Sequence, residues 1–570
     1  MIKSSELDSS PFVIGLTGHP DLEPGQLTPL VDTVISFLLE IKAHLPHSHV
    51  RVMVDARNHV SLAIARAAVA LNISVDALVD ALGSDANAVK ELLQHPQVRW
   101  IEGLAALSCD PDGVPGSTFG EILVRCSSLL VALWGGRSSS ASDDTADHVF
   151  RFLGVGDEQS EAVNRIETST VVNDLDMTAR LVFWVPARGG IHDSAEYMRQ
   201  SYYLLSAGDN VLEVQHAMPA ALKRRLAELD EYNFEFDRLS AHGSLARSAS
   251  LMPSEAEKLG TGDLSILQNI DRQFVKADSL AGYMQQRSDR LFNTFGIAAF
   301  TMGLAYLAYD KITESKILLM FYMLILFVSL VVYYFFQTKH WFGKYLSCRA
   351  LAETLRVRFY LTLAGVDCRV HTRQLIALTG IYRFPGFGWI SFALDSIEPI
   401  GLEPGDSNEN AVLRARLVDQ AWIEDQYRYF LRKVATMQKH RFWIGRLKSG
   451  VFLAGLIVLS AMFVFSEALN HVDMRTGLPL KNVLTFCSGS LAVALGVWEL
   501  RQNKMAAQEL LWQYRSQLSR FQRARMQFKR VTSRTRRDVL LKELGENSLM
   551  EIYLWAIHRY HREHAPPASP

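Results

Sequence analysis

The chain has 570 residues and a formal net charge of −1. That length leaves room for roughly two to four domains, and the balanced charge excludes a globally basic nucleic-acid binder. Mean hydropathy is only slightly positive, so the apolar excess sits in particular stretches.

The N-terminal sequence MIKSSELDSSPFVIG lacks the charged-then-apolar pattern of a signal peptide. The first domain is therefore expected to fold in the cytoplasm. Residues 12–16 read as a short strand, 30–45 as a helix, 50–54 as a second strand and 61–71 as an Ala-rich helix. A strand at 97–101, a helix at 117–126, a fully apolar strand at 129–134, a helix at 145–152 and a strand at 180–185 follow. Residues 138–144 and 155–173 read as surface loops. Continuous apolar strands alternating with helices predict an α/β, Rossmann-like domain over 1–215, with a parallel sheet covered on both faces.

A charged, largely helical connector follows over 216–290, with one helix at 218–236 and a Ser- and Gly-containing loop at 241–262. Beyond it, four runs contain no Asp, Glu, Lys or Arg: 291–309, 317–336, 449–466 and 482–498. Each approaches the roughly 20 residues a helix needs to cross about 30 Å of hydrocarbon. They pair into two hairpins, 291–336 and 449–498, giving an all-α membrane region of four transmembrane helices. Residues 337–448 and 499–570 are expected to be cytoplasmic helical extensions, the latter a basic tail.

In the first extension, 341–365 is expected to continue the second span into water. The stretch IYRFPGFGWISF is either a packed loop or a membrane-surface segment, 403–410 is a flexible loop, and 421–443 is a helix entering the second hairpin. Ser488, Gly489 and Ser490 permit close helix packing, inside one bundle or between copies. In the tail, Ala507, Leu511, Tyr514, Leu518, Phe521 and Phe528 form a stripe. It serves either an amphipathic helix packed on its own chain or a coiled-coil seam. The basic run 515–537 is either a solvated face or a contact for anionic lipid heads.

Basic residues flank the outer ends of the hairpins: Arg287, Arg290, Lys339, Lys344, Arg441, Arg446, Lys448, Arg501 and Lys504. Fewer lie in the turns, at Lys311, Lys316, Arg475 and Lys481. The positive-inside rule then places both termini in the cytoplasm of a multi-pass protein.

Chemistry-bearing residues collect at strand ends. Gly15-Leu16-Thr17-Gly18-His19-Pro20-Asp21-Leu22 is a strand entering a Gly turn, where α/β folds bind ligands. Backbone N–H groups approach a phosphate closely where no side chain intervenes. The strand 129–134 likewise runs into Gly135-Gly136, then Arg137, then Asp144-Thr145-Ala146-Asp147-His148. Thr145 is placed to cap that helix, whose open N–H groups attract anions. Arg137 either reaches a phosphate or is a solvated loop arginine. Cys109, Cys126, Cys348, Cys368 and Cys487 form no CxxC or Cys/His cluster, so no structural zinc site is expected. His19, His59 and His148 all fall near strand ends, but at spacings that chance also produces.

GLTGHPDL, followed by ILVRCSSLLVALWGG and TADHVFRFL, resembles the SLOG superfamily of Rossmann-like domains over roughly residues 11–190. Relatives in that superfamily include sensor domains of bacterial antiviral effectors, cytokinin-activating enzymes and cytoplasmic regions of melastatin-type channels. The chain departs from the family pattern at Pro20, at Gly135, at Asp143-Asp144 and in the Gly-free turn Asp55-Ala56-Arg57-Asn58-His59. The enzymatic P-G-G-x-G-T-x-x-E motif is absent, and Glu121 has no Gly-rich partner loop.

The stretches LSCRALAETLRVRF and QYRYF resemble bacterial membrane effector regions that accompany such sensors. The resemblance implies a nucleotide-derived signalling ligand and no resident cofactor. The implied site is Thr17, Gly18, His19, Asp21, Asp55, Arg57, Trp134, Gly135, Gly136, Arg137, Thr145 and Asp147. It further implies a homo-oligomeric effector of antiphage defence in the bacterial inner membrane, whose partners are a nucleotide second messenger and the lipid bilayer, with no nucleic acid. The alternatives are a nucleotide-regulated channel or transporter, or a membrane-anchored nucleotide-processing enzyme using Asp55, Glu121 or Asp147.

Overall fold

The computed structural model describes residues 10–563 apart from 19–23, 57, 79–88, 90, 93, 102–117, 136–143, 155–165, 168–179, 188–200, 207–211, 338–339, 367–375, 377–378, 398–407, 466, 468, 470–478 and 505–506. The chain divides into two compact units. One comprises Met1–Ser279 with Ala350–Val418, the other Leu280–Arg349 with Asp419–Pro570.

The described strands are β1 (Phe12–Gly18), β2 (Val50–Asp55), β3 (Ser74–Leu78), β4 (Val98–Ile101), β5 (Leu129–Trp134), β6 (Ile166–Glu167), β7 (Val182–Pro186), β8 (Tyr202–Ser206) and β9 (Leu212–Gln215). The longer helices of the first half are α1 (Pro24–His44), α2 (His59–Ala70), α3 (Thr118–Cys126), α4 (Asp144–Leu153), α5 (Ala220–Ala241) and α6 (Thr261–Lys311). Then follow α7 (Lys316–Gln337), α8 (Trp341–Ala364), α9 (Ile390–Asp395), α10 (Asn408–Val418), α11 (Asp425–Val464), α12 (Leu480–Lys504), α13 (Ala507–Arg530) and α14 (Arg534–Glu563).

In the first unit one sheet runs in the order β4-β3-β2-β1-β5-β7-β8-β9-β6. From β4 to β7 every neighbour pair is parallel. The sheet as a whole is mixed, which corrects the expected parallel sheet: β8 runs antiparallel to both β7 and β9. For β8 and β9 the reason is connection length. The segment between Ser206 and Leu212 is too short for a crossover helix, and a short turn joins only antiparallel strands.

The parallel strands are buried throughout. Every residue of β5 is buried, as are the first six of β1. α1 supplies a helical stripe of buried Leu30, Val34, Phe37, Leu38 and Ile41, and the Phe37 ring stacks on Phe183 at 4.0 Å. Asp76 on β3 is 1% exposed and is held by Arg99 at 2.9 and 2.7 Å, with Arg51 at 3.6 Å. A buried carboxylate survives only with such pairing.

The segment between the two apolar hairpins returns to this unit. Phe387, Trp389, Ile390 and Phe392 are buried. Phe392 meets Phe12 of β1 edge-on at 5.0 Å, and Trp389 meets Tyr232 of α5 at 4.4 Å. IYRFPGFGWISF is thus a packed segment. Its turn is pinned by the Gly386 N–H, which donates to Glu228 at 2.9 Å.

Four helical segments are long and apolar enough to cross a membrane: Leu264–Lys311, Lys316–Phe335, Asn410–Val464 and Leu480–Leu500, the first and third beginning in the first unit and running into the second. Within their most apolar stretches, 6% of the first and none of the other three is buried. Gly303 of α6 lies so close to α12 that a Cβ there would come 2.6 Å from Val493 Cγ1. Gly489 of α12 faces Leu307 in the same way, at 3.1 Å. The small residue Gly489 therefore serves packing within one chain.

α8 does not continue α7: it is a separate helix, and His340 just before it takes a φ of 47°. No Gly or Pro marks that break in the sequence. The stripe of α13 is packed on its own chain, with Leu511, Phe521 and Phe528 buried and Phe521 stacked on Phe430 at 5.7 Å.

Candidate functional site

Strand order decides where a ligand can sit on the sheet. After β1 the chain steps outward through β2, β3 and β4, then returns to place β5 on the other side of β1. The order reverses between β1 and β5, and open α/β sheets bind ligands at the carboxyl ends of strands beside that reversal. Register aligns the two candidate segments there, with Thr17 opposite Ala132 and Gly18 opposite Leu133. β2 ends at Asp55, half-buried on the other flank of β1. α4 begins at Asp144, close after β5.

Thr17 is 5% exposed, and its Oγ1 lies 3.0 Å from His148 Nδ1 on α4. That bond ties the end of β1 to the first turns of α4. The same His148 ring presses on α3, where a Cβ on Gly120 would come 1.9 Å from Nε2. Gly15 is held similarly, since a Cβ there would meet Ser127 Oγ at 2.2 Å. These glycines are needed for close packing of α3 and α4 on the strand.

Asn58 links the third element. Its Oδ1 accepts from Val60 N at 2.9 Å, capping α2, while its Nδ2 donates to the Gly18 carbonyl at 2.9 Å. The end of β1 is thus anchored from both sides, by Asn58 and by His148. A rigid strand end with little side chain at Gly18 and Gly135 presents backbone to whatever lies beyond it.

Of the twelve residues expected in the site, Thr17, Gly18, Gly135, Thr145, Asp147, Asp55 and Trp134 are described; His19, Asp21, Arg57, Gly136 and Arg137 lie outside the described residues. Trp134 is 1% exposed, its ring against Phe150 and Trp184 and its carbonyl accepting from Trp184 Nε1 at 2.7 Å. Its side chain belongs to the core. Thr145 is buried as the second residue of α4, a position inside the helix rather than the residue before it. Asp147 pairs with Arg151 one turn along, at 2.9 Å. Glu121 lies on α3, whose side chains include the buried Ile122 and Leu123.

Of the three histidines, His148 is bonded to Thr17, His59 starts α2 exposed, and His19 lies outside the described residues. Among the described residues no group of three His, Cys, Asp or Glu side chains is placed to hold a metal.

The chain matches no family model, no curated protein and no solved structure. The site therefore rests on its own geometry. Two of its anchors, Asn58 and His148, are not among the twelve residues expected to bind the ligand, although His148 is one of the three strand-end histidines. Asn58 carried a signal, an Asn directly before an Ala-rich helical run, which is the N-cap signature. The Thr17–His148 contact carried none, since it joins residues 131 apart.

Proposed function

We propose that the first unit senses a nucleotide-derived messenger and that the four apolar helices turn its binding into a change in a bacterial inner membrane, as in an antiphage effector. The observation that carries this reading is the reversal of strand order between β1 and β5, with Thr17-Gly18 and Gly135 at its carboxyl edge and the start of α4 beside it. Such an edge offers N–H groups and a helix N-terminus to phosphate. An ADP-ribose-like molecule or a cyclic oligonucleotide carries the phosphates this chemistry suits.

A ligand shifts a two-state protein only by its difference in affinity for the two states. Two helices, α6 and α8, each have residues in both units, so the response has a covalent path. Homo-oligomerisation with the termini in the cytoplasm completes the reading, the output being a pore or a disordered bilayer.

The test is native mass spectrometry of the full chain, purified in detergent from phage-infected cells. The full chain is required because buried Trp389 and Phe392 belong to the same unit as the sheet. A retained phosphate-containing small molecule is expected. It should be lost in Gly18→Glu, which adds bulk and negative charge, and kept in Gly18→Ala, whose Cβ meets only the Leu133 side chain at 3.2 Å. Retention by Gly18→Glu equal to wild type would remove the site from this strand end.

A further inference from the structure

A groove lined by arginines lies in the other unit, on a face built by α11 and α13. Gln438, Arg441, Phe442, Gly445, Arg446 and Ser449 recur at three- and four-residue steps along α11, so they share one face. Leu511 and Arg515 of α13 close the other side, leaving a groove of about 590 Å³.

Its lining is three guanidiniums and no carboxylate. Arg441 and Arg446 make no ion pair among the described residues, and Arg446 lies over the Phe442 ring at 4.7 Å. Arg515 is oriented by Gln438, whose amide oxygen, turned toward it, accepts from Nη2 at 2.6 Å. The neighbouring acid, Glu499, is occupied by Lys448. Gly445 has nothing within 4 Å of its missing side chain, which keeps the groove open between the arginines.

Three forked cations without an acid form a phosphate receptor, because guanidinium donors match phosphate oxygens in pairs. Position selects the source of the phosphate. Ser449 opens the uncharged run that continues through Val464. Beside the groove, Phe442, Trp443 and Leu447 are 57%, 60% and 65% exposed. Aromatic and basic residues at the end of an apolar helix belong at the level of lipid headgroups. Buried Leu511 gives the groove an apolar floor.

We infer that this groove binds the phosphate headgroup of an anionic phospholipid at the entry to the third span. The inference rests on the membrane placement in the proposed function but is independent of the messenger.

The test uses the full chain in mixed vesicles. Phosphatidylglycerol diluted into phosphatidylcholine should co-purify with the detergent-extracted protein, and phosphatidylcholine alone should not. The triple variant Arg441→Gln, Arg446→Gln, Arg515→Gln should lose that retention by roughly 100-fold, at the usual worth of a cation near an anionic surface. Lys223→Gln, on an exposed position of α5 outside the groove, should keep it. Equal retention in the triple variant overturns the site, as does an equal loss in Lys223→Gln. Thermal stabilisation by inorganic phosphate matching that by the lipid would show a free-phosphate site and overturn the lipid assignment. Failure of the wild-type chain to float with vesicles would sink the membrane reading together with this one. Flotation without lipid preference sinks this one alone.

Discussion

β5 and the apolar stretch of α7 have similar compositions and opposite surroundings. All six residues of Leu129–Trp134 are buried, whereas no residue in the most apolar stretch of Lys316–Phe335 is. Hydrophobicity reports only that a segment leaves water. Length and neighbours decide what replaces the water: about six residues fill a strand between helices, and about twenty fill a bilayer. The same contrast separates the segment around Phe392, apolar and buried, from Phe463 of α11, apolar and 87% exposed.

The largest test of that contrast is Phe392→Ala. Phe392 is 5% exposed and packs edge-on against the fully buried Phe12. Truncating a buried Phe costs about 3–5 kcal/mol, the lost transfer plus the cavity left behind. Urea unfolding of the full chain, followed by tryptophan fluorescence, should show a clearly lowered midpoint. An unchanged midpoint would mean that the segment between the hairpins contributes nothing to the sheet unit.

Phe327→Arg probes the other side. Phe327 lies mid-way along α7 and is 64% exposed. An arginine at the centre of a span costs about 2.5–3.5 kcal/mol of insertion, while the same change on a water-facing helix costs almost nothing. The fraction resistant to alkaline extraction should fall sharply. Equal extraction of variant and wild type would show that α7 does not face lipid.

These two positions also show how far the sequence could be read. Both alternating strand and helix patterns and uncharged runs were visible, because each is a local periodicity or a local composition. The antiparallel edge was not: YYLLS and LEVQ are short, and only pairing with β7 distinguishes them from loop. The break before α8 was hidden because QTKHWF contains no helix breaker. At the candidate site, the strand-end positions of Thr17, Gly18 and Gly135 were legible as Gly turns after apolar runs. Trp134 could not be assigned to the core from its neighbours, since the side of a strand on which Trp184 lies is a property of the sheet. The return of Phe387–Phe392 to β1 is a contact between residues nearly four hundred apart, for which one sequence holds no signal.

Within the second unit, Glu551 of α14 sharpens the comparison by pH. Burial pushes its carboxyl up to about 7, opposed by the Arg520 guanidinium at 2.5 Å and by the Ser516 hydroxyl. The unfolded chain ionises nearer 4.3. Between those values the unfolded chain releases a proton that the folded chain keeps. Stability from this group is therefore greatest below about pH 4.5, falls as pH rises toward 7 and levels off above. The slope is at most about 1.4 kcal/mol per pH unit. Glu551→Gln keeps an acceptor for Arg520 and removes the titration, so its unfolding midpoint should vary less between pH 5 and 7 than that of wild type. Equal slopes would show that Glu551 ionises normally, as an ion pair open to water would.

The smallest effect lies at Asn58, where two roles separate by chemistry. Asn58→Ala removes the cap of α2 and the bond to the Gly18 carbonyl together, for about 1 kcal/mol of stability. Asn58→Asp keeps the oxygen that accepts from Val60 N but has no N–H for the Gly18 carbonyl. Aspartate caps as well as asparagine, while the lost bond to the Gly18 carbonyl remains a cost, so its unfolding midpoint should fall between those of Asn58→Ala and wild type. Its negative charge would also sit beside the proposed phosphate position, so messenger retention should fall more than in Asn58→Ala. Wild-type retention in Asn58→Asp would reduce Asn58 to a helix cap and leave the strand end anchored from the His148 side alone.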